Sequence, residues 1–267
     1  MGYGDVLMAL GEAREIKKKL PEYKVLIGFE SDYEDSPLYI NNPYITKRAE
    51  IKHGDKFVSL GNCGGYRPYI DYQRTTLSQT FFKKYKPIPG DIFFTKEEKH
   101  FIETHRKIGD FVLIEPHYKK SCMHRNNKDW GWEKYQQIVL NNPDIKFVQL
   151  NYGKRLLDRV HEIRTTGFRE ALAVISLAKS LVVPEGGMHH GAAVFQTPSV
   201  VIFGGLISPE ITGYDFHTNL YTGGEPCGSR YECDHCRKSM NKITVEQVSK
   251  SLREILDKHT LPVARSA

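Results

Sequence analysis

Residues 182–193 combine an apolar run with glycines, a carboxylate and histidines, a pattern that suits the binding of an anion. The apolar run is followed by Glu185, Gly186 and Gly187, and then by a segment that is typical of the first turn of a helix. Ligands of open α/β sheets bind at the carboxyl ends of the strands, and the free N–H groups of a helix N-terminus attract negative charge. Residues 198–205 repeat the order of apolar strand and Gly-Gly turn. We therefore predict that both turns lie at one sheet edge and that the first turn binds a nucleotide-linked anion.

Three of the five cysteines form the pattern Cys227-x5-Cys233-x2-Cys236, with His235 between the last two. Sulfur and imidazole ligands at such short spacing are those that bind zinc. The pattern does not fix the fourth ligand, which Cys122 or a histidine could supply. Buried free thiols are the other interpretation and the one that we expect, so no metal ion is predicted to be required.

The chain has 267 residues, a formal net charge of +6 and a pI of about 8.9. This mildly basic balance suits an anionic ligand, and it would also tolerate nucleic acid or peripheral contact with an anionic membrane surface. A solvated basic surface without a partner is the alternative. We expect no transmembrane helix, because no apolar run reaches the required length of about 18 residues. The acidic N-terminal residues do not resemble a signal peptide, and the odd number of cysteines favours a reducing, cytoplasmic setting.

From residue 109 onwards, short apolar strands alternate with helical segments. Such alternation is typical of a parallel sheet with helices on both faces, so we predict an α/β domain over residues 109–267. Its last helix is amphipathic and is a candidate to pack back on the first domain. The predicted strands cover residues 111–115, 146–150, 181–183 and 200–203, and the predicted helices cover residues 132–140, 156–162, 168–178, 190–195 and 244–256.

Residues 1–108 form the other predicted domain, in which the periodic signals are sparser. Gly4 and Asp5 have the character of a loop that follows a first strand, yet no strand precedes them, so this domain is predicted to be short or incomplete. Thr95 is a suitable N-cap for a following helix that has acidic residues in its first turn. The predicted strands cover residues 24–29 and 57–60, and the predicted helices cover residues 6–20, 77–85 and 95–106.

Taken together, these segments resemble glycosyltransferase family 9, the heptosyltransferase family. The most specific match is the run from Glu185 to His190, in which Glu185 stands where the family usually has Asp. The resemblance is dense over residues 111–256 and sparse over residues 1–110. The other matching segments are Gly4-Asp5, Asn42-Pro43-Tyr44-Ile45, Lys128-Asp129-Trp130, Ala192-Ala193, Pro198, Phe203-Gly204, Cys233, Cys236 and Met240.

This resemblance implies a GT-B fold, in which two Rossmann-like domains face each other across a cleft. It also implies an inverting transfer of a sugar from a nucleoside-diphosphate donor, such as ADP-heptose, to a hydroxyl group of a glycan or glycolipid acceptor. The usual context of the family is lipopolysaccharide biosynthesis. No cofactor and no catalytic metal are expected, because a lysine and a helix dipole can stabilise the departing diphosphate.

The resemblance assigns a role to two single residues. Asp5 matches the general base of the family, although it could instead cap a helix that begins at Val6. Lys128 matches the lysine that meets the donor phosphates, and a solvated loop lysine is its alternative. The other residues that we predict to bind the donor are Tyr152, Gly153, Glu185, Gly186, Gly187, Met188 and His190.

Within this set the side chains have different expected partners. Glu185 suits a ribose hydroxyl, a sugar or the turn itself rather than a phosphate. His190 could donate to a phosphate, or it could be a packed histidine at a helix start. Tyr152 could border the nucleotide base, or it could be a core aromatic residue. His189 is expected to face elsewhere.

Two other functions remain open at this point. One is a non-catalytic protein that binds a nucleotide sugar or a nucleic acid, which the change from Asp to Glu at position 185 favours. The other is a transferase that acts on modified DNA, for which the basic charge and the aromatic residues over 66–85 are suitable.

Overall fold

The structure is a computed structural model that describes residues 2–28, 36–61, 67–117 and 126–260. Cys122, the proposed fourth zinc ligand, lies outside the described residues, as does residue 29 of the first predicted strand. Among the described residues, no helix is long and apolar enough to cross a membrane.

The first part of the chain contains a long helix and a small parallel sheet. Helix α1 spans Tyr3–Lys19, and strands β1 (Lys24–Ile27) and β2 (Phe57–Leu60) pair in parallel. Short 3-10 helices lie at Pro37–Tyr39 and Arg48–Glu50, and helix α2 spans Lys96–Arg106. The predicted cap of α2 is confirmed, since Oγ1 of Thr95 accepts from the N–H of Glu98 and the Glu98 carboxylate accepts from the N–H of Thr95.

The second part contains a parallel sheet, as predicted, but the sheet has six strands rather than the four that were predicted. Its strands are β3 (Val112–Ile114), β4 (Phe147–Asn151), β5 (His161–Arg164), β6 (Ser180–Pro184), β7 (Ser199–Phe203) and β8 (Thr218–Tyr221). Its helices are α3 (Trp132–Asn141), α4 (Phe168–Ile175), α5 (Gly187–Val194), α6 (Pro209–Thr212), α7 (Asp234–Lys242) and α8 (Val245–Thr260). The strand order is β5-β4-β3-β6-β7-β8, so the direction of winding reverses between β3 and β6. This is the strand order of a Rossmann fold.

Each face of the six-stranded sheet packs against its own hydrophobic core. Successive side chains of a strand point to opposite faces, so Leu113 lies in one core whereas Val112 and Ile114 lie in the other. The first core also includes residues of α1, α4 and α5, and the second includes residues of α3 and α8. Because α1 belongs to the first part of the chain, that core is shared by both parts.

Helix contacts extend this connection between the two parts. Helix α1 packs on α5, and α2 packs on α4. Helix α8, which we had considered as a candidate to pack back on the first domain, instead packs on α3, β6 and β7. The boundary near residue 108 stays a prediction.

Two predicted helices are wrong. Residues 77–85 are irregular, with a bend at 77–78 and single antiparallel bridges between Ile70 and Phe82 and between Gln79 and Ser229. Leu77 is 87% exposed, so this segment has no continuous apolar face that could hold a helix on a core. Residues 156–162 lead through a turn into edge strand β5, in which only Ile163 is buried. Strand β8 and helices α6 and α7 were not predicted.

Candidate active site

The site is built at the carboxyl edge of the six-stranded sheet, where the winding direction reverses. Glu115 directly follows strand β3 and Glu185 directly follows strand β6, and these two strands are neighbours in the sheet. The crevice at such a reversal is where open α/β sheets bind ligands. The two predicted Gly-Gly turns follow β6 and β7, which are also neighbours, so they do lie at one edge.

The turn after β6 requires a glycine. Gly186 has φ 154° and ψ −158°, a conformation that residues with a Cβ rarely adopt. Its N–H donates to Nδ1 of His189 over 2.9 Å, and Nε2 of His189 lies 3.0 Å from the Thr212 carbonyl oxygen, to which it donates. His189 is therefore a neutral, buried residue that holds the start of α5, and burial lowers its pKa. A ring nitrogen of His189 lies within 4.8 Å of a carboxylate oxygen of Glu185 and of a ring nitrogen of His190.

Lys128 reaches the site and forms an ion pair there. Its Nζ donates to Oε2 of Glu185, a buried carboxylate. The lysine is held in place through its neighbour Asn127, which is 3% exposed and donates from Nδ2 to the backbone oxygens of Ser229 and Tyr231. Lys128 is thus not a solvated loop residue, and Glu185 lies beside a cation.

His190 lies at the contact between α1 and α5. Its Nδ1 is 2.9 Å from the hydroxyl of Tyr214, and its ring packs against Gly4, where an added Cβ would lie 2.6 Å from Cδ2 of the histidine. Burial lowers the pKa of His190 well below its usual value, and the positive charge of Lys128 acts in the same direction. The structure therefore shows a packed, neutral imidazole. Its predicted contact with a phosphate stays a prediction.

Asp5 lies in the first turn of α1 and contacts two residues that the sequence analysis missed. The helix begins at Tyr3 and not at Val6, so Asp5 is not the N-cap, although its Oδ2 accepts from the N–H of Gly2 over 3.3 Å. Arg67 donates from Nε to the same oxygen over 3.1 Å, and the Tyr69 hydroxyl donates to Oδ1 over 2.8 Å.

The pKa of Tyr69 is raised both by Asp5 and by Glu185, which lies in the turn after β6. Burial raises this pKa well above its usual value, and the negative charges of Asp5 and Glu185 raise it further. Asp5 and Glu185 therefore act on the same hydroxyl from the two parts of the chain. The predicted general base and the predicted donor turn lie in one electrostatic environment.

A second buried carboxylate at this edge was also missed. Oε1 of Glu115 accepts from the N–H of His117 over 3.0 Å, and Nδ1 of His117 lies 2.6 Å from the same oxygen. The Tyr152 hydroxyl is 3.4 Å away and completes this group. Burial raises the pKa of Glu115, although the hydrogen bonds from His117 oppose the shift. No sequence motif marks Glu115, since it reads as the end of an ordinary apolar strand.

Tyr152 and its neighbours form an aromatic rim beside Glu115. Tyr152 is 43% exposed, and its ring lies 5.7 Å from that of His117. His117 in turn lies 5.5 Å from Trp132. Tyr152 is therefore not a core residue, and its placement is compatible with the predicted contact to a base. Gly153 follows it with φ 79°, which favours glycine. Met188 packs against the first hydrophobic core rather than being open to solvent.

The cysteines form a compact cluster that includes a histidine. The ligand atoms of Cys227, Cys233, His235 and Cys236 all lie within 4.8 Å of one another, and the Sγ atoms of Cys227 and Cys236 are 3.3 Å apart. Contact with the Cys236 thiol is the main cause that lowers the pKa of Cys227 to about 5. His235 donates from Nε2 to the carbonyl of Gly223 over 2.9 Å, and its buried Nδ1 has no partner among the described residues.

A cavity of about 340 Å³ lies at the opposite edge of the sheet. It is lined by residues at the start of β3 and in the connection from α4 to β6, among them Asp110, Phe111 and Lys179. None of the predicted site residues lines it. The cavity is therefore separate from the candidate site.

Solved structures resemble the whole chain. The glycosyl transferase family 9 protein from Veillonella parvula has a TM-score of 0.65 at 13% identity, with 97% of this chain and 95% of that chain covered. The iron-containing dodecameric glycosyltransferase TibC from enterotoxigenic E. coli has a TM-score of 0.62 at 12% identity, with coverage of 97% and 75%. The chain has the fold of glycosyltransferase family 9. This is a GT-B-type fold, as the sequence resemblance implied.

A third solved structure matches this chain less completely. E. coli ADP-heptose lipopolysaccharide heptosyltransferase II has a TM-score of 0.48 at 17% identity, with 64% of this chain covered. This chain spans about half of that relative, 54% of its length. No protein-family model matches the sequence. A comparison with curated proteins also found no match.

Proposed function

We propose that this protein is a glycosyltransferase that moves a sugar from a nucleoside-diphosphate donor to an acceptor hydroxyl. One observation carries the proposal. Asp5, Lys128 and Glu185 are far apart in sequence, yet Lys128 pairs with Glu185, and Gly4, next to Asp5, packs so closely on the turn after β6 that an added Cβ would lie 3.6 Å from Cα of Gly187. A base, a cation and a glycine turn at the carboxyl edge of a Rossmann sheet are the parts that such a transfer needs.

The donor diphosphate would lie between Lys128 and the N-terminus of α5. The ammonium group and the free N–H groups of the helix would stabilise the charge that develops on the departing diphosphate. Glu185 would keep Lys128 oriented, and its second role would be a hydrogen bond to the ribose or the sugar. The exposed ring of Tyr152 would border the base.

Asp5 would take the proton from the acceptor hydroxyl in a single displacement, which inverts the anomeric carbon. Arg67 and Tyr69 both donate to its carboxylate, and they would fix its orientation before the acceptor arrives. The acceptor hydroxyl would have to approach an oxygen that already accepts one of these hydrogen bonds. We propose that this chemistry is metal-independent.

The finer assignments rest on the sequence resemblance. We propose an ADP-heptose-like donor, a glycan or glycolipid acceptor and a cytoplasmic location. We also propose that residues 1–108 form the acceptor side and residues 109–267 the donor side. Helix α1 would then bring the base of the first part against α5 of the second part, a contact that the structure has.

We further propose that Cys227, Cys233, His235 and Cys236 bind one structural metal ion, zinc or iron. Three sulfurs and one imidazole form a complete tetrahedral ligand set. The hydrogen bond from His235 to the Gly223 carbonyl fixes the tautomer that leaves Nδ1 available, as is usual for histidine ligands. TibC, which shares the fold, is described as iron-containing. The ion would lie outside the reacting groups, so its role would be structural.

A donor screen followed by a turnover assay tests the main proposal. ADP-, UDP-, GDP- and CDP-sugars are compared by thermal shift, because a ligand at about 100 times its Kd stabilises by about 2.7 kcal/mol. With the donor so found, Asp5→Asn should lower turnover by about 100-fold or more while donor affinity persists. Glu12→Gln on the same helix is the matched control. Donor binding without turnover by the wild type, with any glycan, glycolipid or modified DNA acceptor, would instead identify a non-catalytic binding protein.

A further inference from the structure

The residues that hold Asp5 belong to a short arm, residues 67–83, that folds back on itself. Within this arm the N–H of Asp71 donates to the Phe81 carbonyl over 2.8 Å, and the N–H of Lys83 donates to the Tyr69 carbonyl over 2.9 Å. Arg67 and Tyr69 lie at the base of the arm, next to α1. The position of their side chains therefore depends on what holds the rest of the arm.

The tip of the arm is held by the cysteine loop, which we define as residues 227–236. The N–H of Thr80 donates to the Gly228 carbonyl over 2.8 Å, and the N–H of Arg230 donates to the Ser78 carbonyl over 2.9 Å. Nε2 of Gln79 donates to the Cys227 carbonyl over 2.9 Å. These bonds join the arm to the backbone of a cluster ligand and of its neighbours.

The contact is so close that it requires glycine in the loop. Gly228 has φ 59°, and a Cβ at this position would lie 1.8 Å from the Thr80 carbonyl oxygen. No other residue could sit there without moving the arm. The loop and the arm are therefore in direct backbone contact at Gly228 and Thr80.

The same loop also holds the segment that carries Lys128. Asn127 donates to the carbonyls of Ser229 and Tyr231, over 3.2 and 2.7 Å. Both acceptors lie inside the cysteine loop. The loop therefore lies between two segments. One is the arm that holds Asp5, and the other is the segment that carries Lys128.

The backbone of the loop between its ligands has no strand or helix of its own before α7 begins at Asp234. Its first ligand, Cys227, is tied to the turn after β7 by a hydrogen bond from its N–H to the Gly205 carbonyl over 2.9 Å. A metal ion bound by Cys227 and by the ligands at the start of α7 would close this loop into a ring. Closing a loop removes backbone freedom that the metal-free loop would have.

We propose that the ion bound by the cysteine loop positions the two halves of the candidate site, by fixing the backbone that holds Arg67 and Tyr69 on Asp5 and Lys128 beside Glu185. This inference rests on the proposed metal site and deepens the proposed function, because it makes the cluster a positioning centre for the base and the cation. The ion takes no part in the transfer. Its effect reaches Asp5 through the arm and reaches Lys128 through Asn127.

Hydrogen exchange of the full-length protein, without any substrate, tests this inference. The metal content of the purified protein is measured first, and the ion is then removed with a chelator and restored with Zn²⁺ or Fe²⁺. On removal, amides of residues 76–83 and 126–128 should exchange at least about tenfold faster, and restoration of the ion should reverse the change. Amides of β4 and β6 should not change.

Two variants separate the coupling from a general loss of folding. Cys236→Ser should reproduce the effect of the chelator in both segments. Gln79→Ala should leave the metal content unchanged but speed exchange in the arm alone, because it breaks a contact on that side of the loop.

Two results would overturn the inference. One is faster exchange that is confined to the cysteine loop and α7 when the ion leaves. The other is a protein that holds no metal ion and takes up none when Zn²⁺ or Fe²⁺ is supplied. Neither result bears on the transferase proposal, which is judged separately by donor binding and turnover of the wild type.

Discussion

Nζ of Lys128 donates to a carboxylate oxygen of Glu185, and this ion pair joins residues that are 57 positions apart in the sequence. The lysine is about one quarter exposed and the glutamate less than one tenth. A ligand at this edge of the sheet therefore meets a cation that is already oriented by a buried partner. Glu185 is the residue that orients it.

Lys128→Met should weaken binding of the nucleoside diphosphate by about tenfold to a hundredfold, because a charge-assisted hydrogen bond to phosphate is lost. Isothermal titration with the diphosphate found in the donor screen measures the change. Lys179→Met is the control, since this lysine lies at the opposite edge of the same sheet. Equal affinity of the Lys128 variant and the wild type for the nucleoside diphosphate would show that the lysine does not contact the phosphates.

The sheet and its turns could be predicted because their residues carry local signals. Apolar runs ended by glycine predict β6 and β7, and the capping residues Thr95 and Glu98 predict the start of α2. Strand β8 lacks such a signal, since its residues are all only partly buried. The same holds for β5, which has a single buried residue.

The partners of Asp5 could not be predicted from the sequence for a different reason. Arg67 and Tyr69 are 62 and 64 positions from Asp5, and only the folding back of the arm brings them there. No local pattern in residues 67–83 specifies that return, because the tip of the arm is held by hydrogen bonds to the cysteine loop, which is distant in the sequence. The sequence does not identify the fourth ligand of the cluster for a similar reason, since only the fold shows that Nδ1 of His235 has no hydrogen-bond partner within the described part of the chain.

The proposed metal site leads to a prediction about the metal content of the protein. The purified protein should contain one zinc or iron ion per chain, and His235→Ala should lower both the metal content and the melting temperature, because the folded state loses a ligand that binds it preferentially. Elemental analysis and thermal unfolding measure the two quantities. His161→Ala, at an exposed position of β5, should change neither. A full metal content in the His235 variant would exclude this histidine as a ligand and favour free thiols.

Three buried histidines should make the stability fall in acid. Burial lowers the pKa of His189 and His190 and lowers that of His217 to about 3. The unfolded chain takes up protons below about pH 6.5 whereas the folded chain does not, so stability is complete above that pH and decreases below it. Each histidine changes the free energy of unfolding by up to about 1.4 kcal/mol per pH unit. This holds over the range between its pKa in the folded chain and its pKa in the unfolded chain.

His217→Leu isolates the share of one histidine, because its ring is buried and burial lowers its pKa to about 3. The loss of stability between pH 8 and pH 5 should be smaller in this variant by about 2 kcal/mol. Urea unfolding at the two pH values measures the difference. His53→Leu, at an exposed position, should leave that difference unchanged. An identical pH dependence in the His217 variant would mean that this histidine is charged in the folded state.

The last prediction concerns the ion pair that joins α4 to the start of α2. NH2 of Arg169 donates to Oε2 of Glu98 over 2.6 Å, and the guanidinium also donates to the backbone oxygens of Pro37 and Phe93. Both side chains are largely buried. Arg169→Met should destabilise the fold by about 3–5 kcal/mol, because it leaves the Glu98 carboxylate buried without its cation.

Replacing both partners, in Arg169→Met with Glu98→Gln, should recover part of this loss, since no unpaired charge then remains. Chemical denaturation measures the free energy of unfolding of each variant. Arg106→Met is the matched control on α2 and should leave the denaturation midpoint unchanged, because the pair of Arg106 with Glu103 is exposed. If Arg169→Met were as stable as this control, the pair would not hold the first part of the chain on the second.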